Sequence, residues 1–235
     1  MEQLRKDLQE KGYTFFRMQD YPEFTEQYTK YKKYICNSEK NLLQHMNSVR
    51  LDGMSFVDSD RYKVGERIQI QDSCNSFEEA NEVSSKYLPD GDSSFFSQYW
   101  FFGENNDIKE DFKKLIDVIV EKIYDVKPIL TRHLTQMTYY KNGCFLKEHR
   151  DGKVQNRICA VLVYLNDEDY NMEWGGNIVF EGKETIAPIY GNIARLDFKD
   201  NNCLHEVKKV VDGYGRYAIL DFVSLGESED TPNYY

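Results

Sequence analysis

Histidine is scarce in this chain: there are four, His45, His133, His149 and His205. Any metal chemistry therefore has to combine a few imidazoles with carboxylates rather than draw on a histidine cluster. Cysteine offers no framework either. The five residues, Cys36, Cys74, Cys144, Cys159 and Cys203, are odd in number and share no Cys-x-x-Cys spacing. That argues against a disulfide scaffold and against a structural zinc site. No apolar run approaches membrane-span length, and Met1-Glu2-Gln3-Leu4-Arg5 leads into a charged stretch without a signal-like apolar region. Positive charge is in deficit, with a formal net charge of -10 that repels phosphate backbones and disfavours broad nucleic-acid binding. Lys30, Lys32 and Lys33 come nearest to a basic patch, and a solvated helix face accounts for them better. Internal repeats and low-complexity segments are absent as well. Together these absences lead us to expect a soluble protein of a reducing, cytoplasmic compartment with no membrane partner.

What the sequence does contain is ordinary globular material with a β-rich bias. A chain of 235 residues suffices for one domain with a real core, and 18 Tyr with 14 Phe favour a sheet with tyrosines at its edges. Leu4 and Leu8 lie one helical turn apart in residues 2–10, with Gly12 as a C-cap; Tyr13–Phe16 then reads as a short strand. Phe24, Tyr28 and Tyr31 are spaced for one face of a helix over residues 23–35. Residues 51–106 give no clear period, although Phe77–Lys86 suits a helix. Ile108, Phe112, Leu115, Ile119 and Ile123 form an apolar stripe on a helix from Ile108 to Tyr124. After Thr131 the pattern changes. Leu134–Lys141, Arg157–Leu165, Asn177–Phe180, Asn192–Phe198 and Arg216–Val223 are short, β-branched and aromatic, and separated by Gly, Asn and Asp. Such spacing predicts a sandwich or barrel of antiparallel strands. No true boundary is expected at Thr131, because the long helix needs the sheet to cover its stripe.

The candidate chemistry centres on two histidines. His149-Arg150-Asp151 sets an imidazole and a carboxylate two residues apart, on one face if the segment is extended. His205 comes later, just before another strand. Two neutral imidazoles and one carboxylate on one side of Fe(II) make a facial triad with three open positions. A solvated pair or a simple His–Asp hydrogen bond explains His-x-Asp as well, so the motif alone decides nothing. Arg216 follows His205 inside the strand Arg216-Tyr217-Ala218-Ile219-Leu220-Asp221-Phe222. A buried guanidinium needs a partner, which is either a structural carboxylate or a ligand's carboxylate held bidentately.

Over about Leu134–Val223 the sequence resembles the prolyl-4-hydroxylase-like branch of the 2-oxoglutarate/Fe(II) oxygenase superfamily. Tyr140-Lys141-Asn142-Gly143 stands ahead of His149-Arg150-Asp151, as a Tyr-x-x-Gly does in that branch. Arg157-Ile158-Cys159-Ala160-Val161-Leu162-Val163-Tyr164-Leu165-Asn166 resembles the strand ending in Tyr-Leu-Asn. Trp174-Gly175-Gly176-Asn177-Ile178-Val179-Phe180 resembles the Gly-Gly-x-Leu-x-Phe strand, and Pro188 and Gly191 precede the strand leading to His205-Glu206-Val207. Gly215-Arg216-Tyr217-Ala218 closes the series in the family's order. One departure is the His-to-Arg gap, where Asp212-Gly213-Tyr214-Gly215 is a residue or two longer than common.

The resemblance implies an α+β fold: a double-stranded β-helix (jelly-roll) core with supporting N-terminal helices. Residues 1–130 would be a helical and mixed extension packed on the core, 131–226 the oxygenase core and 227–235 a polar tail. It implies that His149, Asp151 and His205 ligate iron. Arg216 would hold the distal carboxylate of 2-oxoglutarate, assisted by Tyr140 rather than Tyr139, which points to the opposite face. Arg157 falls where the family often has a residue at the substrate mouth. Trp174 lines the cavity or, the better reading, packs on the Gly175–Gly176 bend; Arg150 gets at most a contact at the rim. The implied reaction decarboxylates 2-oxoglutarate to succinate, consumes O2, uses Fe(II) with ascorbate as a possible reductant, and hydroxylates an unactivated C–H bond. The implied substrate is an amino-acid side chain, free or in a peptide or protein, prolyl hydroxylation being the family default. Two rivals make different demands. A non-catalytic β-helix domain that binds a ligand or partner is expected to have lost part of the triad or Arg216, and a cupin to cluster more histidines and need no Arg216.

Overall fold

The computed structural model describes residues 1–36, 53–58, 68–71, 95–100, 107–124, 131–140, 142–151, 156–197, 203–213 and 215–225. The helix expected over Phe77–Lys86 and the tail 227–235 lie outside the described residues.

Helix α1 (Glu2–Lys11) buries Leu4 and Leu8 and stops at Gly12, whose φ of 79° lets its N–H return to the Leu8 carbonyl. The chain then enters strand β1 (Tyr13–Arg17). The helix expected over residues 23–35 is shorter than its apolar spacing suggested. Helix α2 spans only Thr25–Tyr31, between 3-10 turns at Pro22–Phe24 and Lys32–Tyr34. Tighter i→i+3 winding at both ends brings Phe24 and Tyr34 as well as Tyr31 to the core. Helix α3 (Asp107–Tyr124) meets the expectation, and Phe112, Leu115, Ile119 and Ile123 are all buried.

Among the described residues, twelve strands form two antiparallel sheets. The remaining strands are β2 (Gly53–Asp58), β3 (Ile68–Gln71), β4 (Phe95–Trp100), β5 (Thr131–Tyr140), β6 (Leu146–His149), β7 (Arg157–Tyr164), β8 (Ile178–Phe180), β9 (Glu184–Ile186), β10 (Asn192–Asp197), β11 (His205–Val207) and β12 (Arg216–Leu225). The major sheet runs β1-β10-β7-β12-β5-β4-β2-β3 and the minor sheet β6-β11-β8-β9. This is the double-stranded β-helix architecture. The major sheet draws strands from both sides of Thr131, since β1 pairs with β10 and β4 with β5.

Period-two alternation on β7 shows how the core is divided. Cys159, Val161 and Val163 join the cluster that includes Leu115 and Ile119 of α3. Ala160, Leu162 and Tyr164 join a second cluster with Ile178, Phe180 and Ile186 of the minor sheet. One face of the major sheet thus lies on the helices, and the other lines the jelly-roll interior. Burying both faces explains why β7 reads as a continuous apolar run. A polar staple backs the helix side: His133 bridges Asp117 of α3 at 2.9 Å and Asp221 of β12 at 3.2 Å. Burial opposes a charge on this imidazole, but the two carboxylates prevail and push its pKa up to about 9. Among the described residues, no helix is long and apolar enough to cross a membrane. Cys36, Cys144, Cys159 and Cys203 are buried free thiols.

Candidate metal and co-substrate centre

His149 closes β6 and His205 opens β11, and these strands pair so that the two histidines face each other. Their ring centroids are 4.3 Å apart. Asp151, two residues beyond His149, brings one carboxylate oxygen to 3.5 Å from His149 Nε2 and the other to 3.8 Å from His205 Nε2. All three candidate ligand atoms lie within 4.8 Å of one another. The sequence spacing and the sheet register therefore converge on one point.

Both imidazoles are oriented from behind. His149 Nδ1 lies 2.8 Å from the Lys147 carbonyl, and His205 Nδ1 lies 3.2 Å from the Cys203 carbonyl. A carbonyl only accepts, so each Nδ1 carries the proton and each Nε2 turns its lone pair to the shared centre. Burial lowers the His205 pKa, which favours the neutral form that a ligand needs. For His149 burial also opposes protonation, but the hydrogen bond and charge of Asp151 outweigh it and raise the value. Asp151 itself is held low against its burial by the two imidazoles. Two nitrogens and one carboxylate fit Fe(II); adjacent ligand atoms about 2.1 Å from an ion lie about 3 Å apart, so the three side chains would draw slightly together on binding.

Arg216 occupies the interior face at the start of β12, opposite Tyr140 of β5. It is 1% exposed, and its Nη1 donates to Thr138 Oγ1 at 3.1 Å. Its Nε and Nη2 are buried without a hydrogen-bond partner. Among the described residues no carboxylate pairs with it, so the structural salt bridge that would explain Arg216 without a ligand is not found. The Tyr140 and Tyr164 rings stand 4.8 and 5.2 Å from the guanidinium carbon. Burial raises the pKa of both phenols, keeping them protonated as donors even though Arg216 pulls the other way. Gly176 leaves room for the arginine stem, since a Cβ there would come within 2.8 Å of Arg216 Cβ. The result is a cradle of Arg216, Tyr140 and Tyr164 suited to an anion, with Thr138 Oγ1 holding the guanidinium from behind as it donates its own proton to the Ala218 carbonyl at 3.3 Å.

Other candidates fall into distinct places. Tyr139 turns to the helix side and stacks on Tyr217 at 4.6 Å. Arg157 lies 4.0 Å over the Phe222 ring, and its charge is among those that lower the Asp151 pKa. The Trp174 ring meets Tyr170 edge-on at 5.2 Å and fills the space in which a Gly213 side chain would stand. The longer His-to-Arg gap is absorbed there by Gly213 and Gly215, both at positive φ. Arg150 reaches Glu181 at 3.8 Å on the rim. Lys33 and Lys30 lie 2.9 and 3.9 Å from Asp111 on a solvated face. Sequence reasoning gave Thr138 no role and used Tyr164 only as the end of a strand. Period two from Tyr140 would have found Thr138; no local pattern signals Tyr164, which reaches Arg216 only through the pairing of β7 with β12.

Comparison with known proteins adds a family to this geometry. Residues 135–224 match the family model of the 2OG-Fe(II) oxygenase superfamily. No curated protein sequence matches the chain. Among solved structures, a prolyl-4-hydroxylase from Pseudomonas putida superposes with a TM-score of 0.53 at 12% identity, covering 95% of this chain and 98% of that one. The non-heme α-ketoglutarate-dependent epimerase SnoN of nogalamycin biosynthesis gives 0.52 at 12% identity, covering 99% and 89%. At such identities these likenesses establish the fold, and the two neighbours already differ in reaction. Residues 135–224 are thus similar to the 2OG-Fe(II) oxygenase superfamily, and the chain has a fold like that of a prolyl-4-hydroxylase.

Proposed function

We propose that this chain hydroxylates an unactivated C–H bond of an amino-acid side chain, in a peptide or protein or as a free amino acid. The observation that carries the reading is the buried Arg216 guanidinium with two unpartnered nitrogens, sharing the jelly-roll interior with a His–Asp–His cluster. Leaving such a charge unpaired is costly, and a carboxylate from a bound ligand relieves it. His149, Asp151 and His205 would hold the iron, with Asp151 offsetting part of its charge. Arg216, Tyr140 and Tyr164 would take the distal carboxylate of 2-oxoglutarate, the guanidinium supplying two N–H groups in one plane and Thr138 steadying it through Nη1. When bound, iron and 2-oxoglutarate activate O2 and oxidise the C–H bond, releasing succinate and carbon dioxide.

The chain's own contribution is placement and shielding. Tyr140 and Tyr164 exclude water from the anchor, and the Nδ1 hydrogen bonds keep both imidazoles in the ligating tautomer. Arg157, charged and near Asp151, is assigned to the substrate mouth. Trp174 is assigned to the wall of the substrate cavity, held there by its packing on Gly213 and Tyr170. Ascorbate is assigned as the reductant that restores Fe(II), and buried free thiols support a reducing cytoplasmic location.

The test is a screen of peptides and free amino acids for stimulated succinate release, with mass spectrometry for a gain of one oxygen. A stimulated reaction whose product carries that oxygen is the expected result. Tight 2-oxoglutarate binding with no turnover on any substrate would favour a binding domain instead. An epimerised or desaturated product would retain the oxygenase and overturn hydroxylation.

A further inference from the structure

We propose that Asn166 is the positioning residue for the Arg216 guanidinium, an inference that rests on reading Arg216 as the co-substrate anchor. Arg216 is the first residue of β12, and regular strand pairing holds it from one side only. It faces Tyr140 of β5, whereas β7 joins β12 only from Ala218, opposite Tyr164. A loop carrying Gly213 and Gly215, both at positive φ, leads into this end. Strand ends of this kind open more readily than strand centres, yet this one has to fix a guanidinium.

Asn166 stands two residues beyond Tyr164 and continues the β7–β12 ladder with its side chain. Its Oδ1 accepts the Tyr217 N–H at 2.9 Å, and its Nδ2 donates to the Gly215 carbonyl at 2.7 Å. The two bonds therefore grip the backbone on either side of Arg216. Beside them the Leu165 N–H donates to the Tyr217 carbonyl at 3.1 Å. The grip is itself immobilised. Asn166 is fully buried, its carbonyl accepts the Tyr190 N–H at 2.6 Å, and its backbone bridges to Cys36 and Ile189.

Asparagine suits this place for a definite reason. A primary amide offers a donor and an acceptor side by side, matching one N–H and one C=O of a neighbouring backbone. Aspartate has the same shape but only accepts, so it would oppose the Gly215 carbonyl. Alanine would leave both backbone groups buried without partners. A small rotation at the strand start is magnified along the arginine side chain, and anchoring geometry tolerates little of it. Asn166 thus acts on the co-substrate through Arg216 without touching it.

The experiment uses the full chain loaded with Fe(II) under anaerobic conditions, with 2-oxoglutarate titrated by calorimetry and folding followed by circular dichroism. Asn166→Ala and Asn166→Asp are each made alone and in an Arg216→Ala background. The proposal expects each single variant to weaken 2-oxoglutarate binding about tenfold, the equivalent of one lost hydrogen bond, with iron stoichiometry unchanged. It also expects the Asn166 substitutions to add nothing once Arg216 is alanine. Asn166→Asp preserves size and reads the same constant if the alanine variant does not fold. A purely structural role predicts a lower melting temperature with 2-oxoglutarate affinity unchanged, which overturns the proposal. Additive losses in the double variants overturn it too, because the residue would then act by another route. An unaltered affinity in Arg216→Ala alone would remove the anchor reading itself, and that result is separable from any effect at position 166.

Discussion

The two halves of the candidate centre are built on unequal supports. The co-substrate cradle lies on β5 and β12, ten-residue strands paired in unbroken register from Arg216–Tyr140 to Leu225–Thr131. The metal cluster lies on β6 and β11, strands of four and three residues whose pairing slips between His205 and Val207. The cradle therefore gets its geometry from a long cooperative ladder. The candidate metal half gets less from its backbone, and an ion joining the three side chains would supply what it lacks. One side is organised by the fold, and the other would be completed by its ligand.

The largest expected effect is on the metal side. His205→Ala or His149→Ala removes one of three ligands, and turnover should fall to background while iron content drops from about one per chain. Iron analysis and succinate release check this, and full activity in either variant would refute the triad. Next comes the cradle. Arg216→Ala should weaken 2-oxoglutarate binding about 10- to 150-fold, as expected for a charge-assisted bond of about 1.5–3 kcal/mol, with iron retained. Arg216→Lys restores the charge without the fork and should recover part of the affinity. Removing an unpartnered buried charge should leave the melting temperature of the ligand-free protein unchanged or higher. A destabilised alanine variant with unchanged affinity would mean that the anchor lies elsewhere.

A third experiment sharpens the contrast directly. Hydrogen exchange in metal-free protein should be faster at β6 and β11 than at β5 and β12, and Mn(II), as an inert substitute for iron, should slow it chiefly at β6 and β11. Uniform protection on metal addition would erase the distinction. The smallest effect concerns the back of the long ladder. The folded-state pKa of His133 lies above its unfolded value of 6.5, so its bridge to Asp117 and Asp221 contributes fully below about pH 6.5. That contribution declines as the pH rises through about 9. The melting temperature should fall between these limits in the wild type and more shallowly in His133→Gln. Parallel curves would exclude His133 as the source.

The same inequality governs what the sequence revealed. Long strands such as β7 and β12 announce themselves through β-branched and aromatic runs, and the α3 stripe needs no tertiary information. The three-residue strands β9 and β11 are too short for an alternation to register, so only His205 itself marked its segment. His149 and Asp151 were legible because two residues is the period of a strand. Tyr164 and Asn166 were not, since both meet the Arg216 region across a strand pair whose register no local pattern encodes. The helix over 23–35 failed in a different way, because apolar spacing does not distinguish an α-helix from a short one flanked by 3-10 turns.

The order of the major sheet also bears on biosynthesis. β12, the last of the twelve described strands, inserts between β7 and β5, and β1 pairs with β10 across roughly 180 residues. Until β12 has been made, β5 and β7 present bare edges across an unfilled gap, and Tyr13 waits for its place on Phe180. A nascent chain of this protein therefore carries these adhesive edges from the completion of β5 until β12 emerges. Ribosome-bound chains stopped after β11 should remain sensitive to protease throughout, and chains extended past β12 should become resistant in a single step.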